Sequence, residues 1–242
     1  MVEKRESGTV KATIETASGK VRSRFEEVVT AVKPKLRGWI HLGMFPVAVV
    51  LGIILIALAP TTAGKVTSAI FAFTSALLFG CSALYHRRTW SPRVTFFLRR
   101  LDHSNIFLII AGTYTPIAWS LLDRPTAVRL LWIVWAGALT GIGLRMLWLN
   151  APRWLFVPLY VALGWVAVWY LPTFWRVSGP GVVIALAIGG LSYTVGAVIY
   201  GTKWPNPSPK WFGFHEVFHA LTVLGFVGTY VGASIAVYSA SA

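Results

Sequence analysis

The chain has 242 residues, 56% of them hydrophobic and 12% charged, with a mean hydropathy of +0.66 and a formal net charge of +14. A soluble domain carries about a quarter charged residues, so this composition excludes an ordinary soluble enzyme and indicates an integral membrane protein. The basic residues lie between apolar runs, with no basic face interleaved with aromatics to stack bases, which argues against nucleic acid as a partner; the lone Cys81 excludes an internal disulfide.

Residues 1–38 read as a basic cytoplasmic tail. The first apolar run starts near Gly38, too deep for a signal peptide. Within the tail Val21, Phe25, Val28, Val29, Val32 and Leu36 recur near the helical period among Arg22, Arg24, Lys33 and Lys35, the pattern of an amphipathic helix lying on an anionic membrane surface.

Residues 39–242 read as a seven-helix transmembrane domain. Apolar runs at about 39–59, 66–86, 103–122, 129–149, 154–172, 180–200 and 214–238 are each long enough for a hydrocarbon core of about 30 Å. Unsatisfied backbone cannot face lipid, so every run is expected to be helical. Turn residues separate them: Pro60 and Gly64, Trp90-Ser91-Pro92, Arg124-Pro125, Pro152, Gly179-Pro180, and the stretch Trp204-Pro205-Asn206-Pro207-Ser208-Pro209. Gly137 with Gly141, and Gly228 with Gly232, are small-xxx-small pairs that allow close helix approach.

Of the 22 Lys and Arg, all but Lys65, Arg124, Arg129 and Arg176 fall on one side of these seven runs. The positive-inside rule then sets the N-terminus in the cytoplasm and the C-terminus outside, in a multi-pass protein of the plasma or inner membrane. This topology brings all five histidines, His41, His86, His103, His215 and His219, to the cytoplasmic ends of their runs.

The last run opens Phe214-His215-Glu216-Val217-Phe218-His219. Residues four apart share a helix face, so His215 and His219 present two imidazoles together, the spacing one metal ion needs. The second run ends Ser82-Ala83-Leu84-Tyr85-His86, and the third opens Leu101-Asp102-His103-Ser104-Asn105. Packed together, these ends supply three imidazoles to Zn²⁺ and leave its fourth position open. Asp102 then becomes a proton-accepting carboxylate and Ser82 a supporting hydroxyl; the alternative for Asp102 is a pairing with Arg99 or Arg100, or a place at the N-terminus of the third helix. His-Glu-x-x-His is also the zincin pattern, but residues 220–242 contain no His, Asp or Glu to complete one, so Glu216 is expected only to tune the site.

Ser82-x3-His86, the run from Leu101-Asp102-His103-Ser104-Asn105 to Gly112-Thr113-Tyr114-Thr115-Pro116, and His215-x3-His219, on seven spans, resemble the hemolysin III family. That family is grouped with the progestin and adipoQ receptors and is more distantly similar to alkaline ceramidases. The resemblance implies a seven-helix bundle holding zinc on His86, His215 and His219, with Asp102 and Ser82 beside the metal. The chain departs from the pattern at Lys35-Leu36-Arg37-Gly38-Trp39-Ile40-His41, where family members often carry an acidic residue and an asparagine before the histidine.

The expected function is a zinc-dependent intramembrane hydrolase acting on a lipid amide or ester, with membrane lipids as its partners. The alternative is a hemolysin III type regulator, receptor or cytolytic protein with a structural zinc. A wide aqueous pore is disfavoured because the spans carry almost no charge; a retinal protein is excluded because the seventh span has no lysine.

Overall fold

The computed structural model describes residues 34–148 and 153–240, with only the backbone of Arg153. The expected amphipathic helix of the tail lies outside the described residues except for its end, where Lys35–Gly38 form a turn.

The described chain is all-α. It comprises α1 (Trp39–Leu58), α2 (Thr62–Arg87), α3 (Pro92–Leu121), α4 (Arg124–Leu147), α5 (Arg153–Trp165), a 3₁₀ segment Val166–Tyr170 leading into α6 (Leu171–Ser178), then α7 (Pro180–Thr202) and α8 (Phe214–Tyr238). With α5, the 3₁₀ segment and α6 taken as one composite crossing, this is a seven-helix bundle, and six of its helices are long and apolar enough to span a membrane.

Local chemistry sets the helix starts. Thr61 Oγ1 accepts the Gly64 N–H at 2.9 Å and caps α2, and Asp123 accepts the Thr126 N–H at 3.1 Å ahead of α4. Proline occupies the first turn of α3, α4 and α7, where its missing N–H costs nothing. Inside the bundle the hydroxyls of Thr67, Thr74, Ser75, Thr115, Thr222 and Thr229 bond backward to carbonyls of their own helices, so these six are satisfied in an apolar interior.

The structure corrects the sequence at two elements. The third run was expected from 103, but its helix begins at Pro92, so Asp102 and His103 lie inside α3 rather than opening it. Arg93, Arg99 and Arg100 interrupt the apolar pattern without interrupting the helix, because long basic side chains can leave the apolar layer while their backbone stays in it. The fifth run is broken by the 3₁₀ turn. Tyr114 of α3 attends to that break: its hydroxyl donates to Gly164 O at 2.7 Å and accepts the Ala167 N–H at 2.6 Å.

α7 and α8 form the most extensive pairing, followed by α1 with α2 and α2 with α3. Where α7 meets α8, a Cβ on Gly228 would stand 2.7 Å from Gly189 N and 2.8 Å from Ala185 O, so the two backbones touch as the small-residue pair requires. Gly141 serves differently, making room for the Phe107 ring rather than for a second backbone. Phe71, Phe79 and Phe226 fill the core between α2 and α8, directly beneath the histidines.

Candidate metal centre

His86 comes from the end of α2, His215 and His219 from the first two turns of α8, and all three are buried. The Nε2 atoms of His86 and His215 are 3.2 Å apart, and one nitrogen from each of the three rings lies within 4.8 Å of the others. A tetrahedral metal with Zn–N bonds of about 2.0–2.1 Å places its ligand nitrogens about 3.3 Å apart, so the His86–His215 spacing already matches. An N–H···N hydrogen bond would account for that pair alone. It would leave His219 Nδ1, which has no hydrogen-bond partner, unexplained. Three imidazoles turned toward one another, without a carboxylate among them, are the donor set of a zinc-type centre.

The other histidines share this end of the bundle. His41 of α1 stacks on His219 with centroids 3.8 Å apart and planes 10° from parallel, and meets the edge of Phe79 at 5.1 Å. Both its ring nitrogens are buried without a hydrogen-bond partner. His103 points elsewhere: Nδ1 lies 2.6 Å from Arg99 O and Nε2 2.8 Å from the Tyr200 hydroxyl. It therefore joins α3 to α7 instead of joining the three-histidine group.

Asp102 lies beside this centre, with Oδ2 3.8 Å from both His86 Nε2 and His103 Nδ1. At that separation the pairing is electrostatic and not a direct hydrogen bond to either ring. Ser82, one turn before His86, is buried with no hydrogen-bond partner for its hydroxyl, and it lines the same cavity as Asp102. Glu216 is turned away from the histidines: one carboxylate oxygen takes Arg37 and the other accepts the Gly213 N–H at 2.9 Å. The zincin pattern is thus a sequence coincidence, since the third imidazole is His86 on another helix and the glutamate is committed elsewhere.

A cavity of about 410 Å³ opens from the centre into the bundle, within the range of small-molecule sites. His41, Ser82, Asp102, His215 and His219 line its polar end, and Thr222 and Thr229 of α8 continue its wall. From His215 to Thr229 is about 21 Å along the helix, most of an apolar bilayer thickness of about 30 Å. Trp165, Val168 and Leu191 also line it and are themselves exposed, so the cavity reaches the lipid-facing surface between the composite crossing and α7. There Trp165 Nε1 donates to Thr194 Oγ1 at 3.0 Å.

Sequence spacing identified every member of the three-histidine group but missed Arg37 and Tyr200. No periodic signal ties Arg37 to Glu216 across 179 positions, or His103 to Tyr200 across 97.

The family model described as "Haemolysin-III related" matches residues 29–230. The "Hemolysin-3 homolog" of Bacillus subtilis (strain 168) is 33% identical over 151 residues, covering 62% of this chain and 70% of that protein. "Hemolysin-3" of Bacillus cereus is 32% identical over 141 residues, 58% of this chain and 64% of that protein. A match over most of the chain, on a helical bundle that gathers His86, His215 and His219, places this chain in the haemolysin III-related family.

Proposed function

We propose that the protein is a zinc-binding membrane protein of the hemolysin III type, a regulator or receptor in which His86, His215 and His219 hold the metal and the adjoining cavity takes a lipid-like molecule. The observation that carries this reading is the convergence of three buried imidazoles, with nitrogens within 4.8 Å of one another, at the polar end of an otherwise apolar cavity. His86, His215 and His219 would hold the zinc, which would cross-link α2 to α8 and supply Lewis acidity there. His41 backs the His219 ring through stacking, and Phe79 and Phe226 exclude water from below. The cavity's apolar wall and its opening toward lipid suit an acyl chain, with Asp102 and Ser82 available to the chain's polar head.

A second reading is favoured by Asp102, a carboxylate 3.8 Å from a ligand histidine in the wall of a lipid-accessible cavity. In that reading the protein hydrolyses a lipid amide or ester. Asp102 accepts a proton from the attacking water and returns it to the departing amine or alcohol as the C–N or C–O bond breaks, while the Ser82 hydroxyl holds the carbonyl oxygen. The kinship with progestin and adipoQ receptors and alkaline ceramidases, the cytoplasmic N-terminus, the outward C-terminus and the plasma or inner membrane location belong to the same proposal. They rest on the sequence motifs and on the distribution of Lys and Arg.

Two measurements test the readings in turn. Purified protein should carry zinc, and His86→Ala, His215→Ala or His219→Ala should each lose it; a wild type that takes up none, though folded, overturns both readings. Incubation with bacterial lipid extract, followed by mass spectrometry, then decides on hydrolysis. Zinc-dependent release of an acid that stops in Asp102→Asn while zinc is retained establishes the second reading, and its absence leaves the first.

A further inference from the structure

The two helices that supply the ligands touch each other only sparsely, so their relative position is set by what lies between and across them. α1 stands on one side and α3 on the other. At the histidine end of the bundle the remaining side is crossed by Pro34–Gly38, the segment leading into α1.

This segment is fastened as a strap. The Lys35 N–H donates to Lys210 O at 3.1 Å and the Leu36 N–H to Trp211 O at 3.2 Å, a backbone pairing with the loop just before α8. Lys35 Nζ sits 4.2 Å over the Trp211 ring. Arg37 then reaches inward to an ion pair with Glu216, whose side chain is 1% exposed. Through its second oxygen the same carboxylate holds the Gly213 N–H, and so fixes the first turn of α8 from which His215 and His219 project. At the other end of the strap Gly38, at φ 80°, brings the chain against His86: a Cβ there would stand 2.8 Å from His86 Cβ. Arg87, the next residue, covers the Trp39 ring at 3.9 Å. One five-residue segment thus grips the α8 ligands at one end and the α2 ligand at the other.

A buried carboxylate is costly without a partner, so the Glu216 charge keeps Arg37, and with it the strap, in place. Neither residue points into the three-histidine group, and neither has a part in holding a metal or a lipid. Their side chains instead determine whether the imidazoles stay converged and whether that end of the centre is covered.

We propose that Arg37 and Glu216 are positioning residues of the metal centre, and that the strap they lock controls how fast a metal ion leaves it. The inference rests on the three-histidine reading above, and its test is built to fail separately.

Full-length protein in detergent is loaded with zinc, and release to excess colorimetric chelator is followed for wild type, Arg37→Met, Glu216→Gln, the double variant and Arg37→Lys. Visible absorption of the cobalt-loaded forms reports ligand geometry, and a thermal melt reports folding. Zinc release should quicken about 10- to 100-fold in each single variant, the usual effect of losing a group that orients metal ligands. The double variant should be no faster than the faster single one, Arg37→Lys should recover part of the loss, and the cobalt spectrum should keep its tetrahedral intensity. Glu216→Gln carries the test alone if Arg37→Met, which strands a buried carboxylate, does not fold. Folded variants releasing zinc at the wild-type rate, or single effects that simply multiply in the double variant, overturn this inference while the metal centre stands. A wild type that binds no zinc overturns both.

Discussion

Gly38→Ala tests the junction between the strap and the α2 ligand. Gly38 has a left-handed backbone at φ 80°, which costs an L-residue about 1–2 kcal/mol. Its new methyl would also fall 2.8 Å from His86 Cβ and 3.3 Å from the Arg87 side chain, an overpacking that adds about 1–3 kcal/mol. The metal-free protein can relieve both by letting the strap or His86 shift, whereas the metal-bound protein must hold His86 where it is. The penalty therefore falls mainly on the bound state. Taking about 2 kcal/mol as the lower end, zinc affinity should drop about 30-fold or more, since each 1.4 kcal/mol is about tenfold. Competition titration against a chelator of known affinity measures this directly. Gly43→Ala is the matched control: it lies one turn into α1 with nothing within 4 Å of a new Cβ, so zinc affinity should be unchanged and stability should rise by about 0.5–1 kcal/mol. Should Gly38→Ala bind zinc as tightly as wild type, the close approach of the strap to His86 is wrong.

Tyr114→Phe removes the hydroxyl that serves the backbone break at Val166–Tyr170, leaving Gly164 O and the Ala167 N–H without it; thermal stability in detergent should fall by about 1–3 kcal/mol with zinc content unchanged, and an unaltered melt would remove Tyr114 from that role. Gly228→Ala forces a methyl against the α7 backbone, which cannot rotate away as a side chain can, and should cost about 1–3 kcal/mol. Ala at Gly190, which has open space around it, should not, and a comparison of the two melts checks the α7–α8 contact.

Much of the bundle is readable in the chain because hydropathy reports solvent directly. α1, α7 and α8 begin at Trp39, Pro180 and Phe214, where the apolar runs begin. The three-histidine group is readable for a different reason. His215 and His219 are related by helix geometry alone, and His86 joins them once all three are assigned to the same end of their helices. Hydropathy fails where a segment is polar but helical, as over Pro92–Leu101 of α3. It also fails where a segment is apolar but not α-helical: Val166-Ala167-Val168-Trp169-Tyr170 looks continuous to any hydrophobicity count, and only its 3₁₀ backbone, with the Ala167 N–H given to Tyr114, reveals the turn. His41 was placed at the correct end, yet its stacking on His219 depends on how α1 leans across α8, which no local pattern encodes. Glu216 matched a known motif and turned out to face Arg37, because a motif fixes a helix face and not the partner that arrives from elsewhere in the chain.

X-ray absorption at the zinc edge on purified, zinc-loaded protein, together with its metal content, tests the three-histidine centre itself. The expected result is about one zinc per chain, with three imidazole nitrogens at about 2.0–2.1 Å, and loss of the signal in His86→Ala. A folded protein without bound zinc, or zinc whose imidazole scattering is unchanged in His86→Ala, contradicts it.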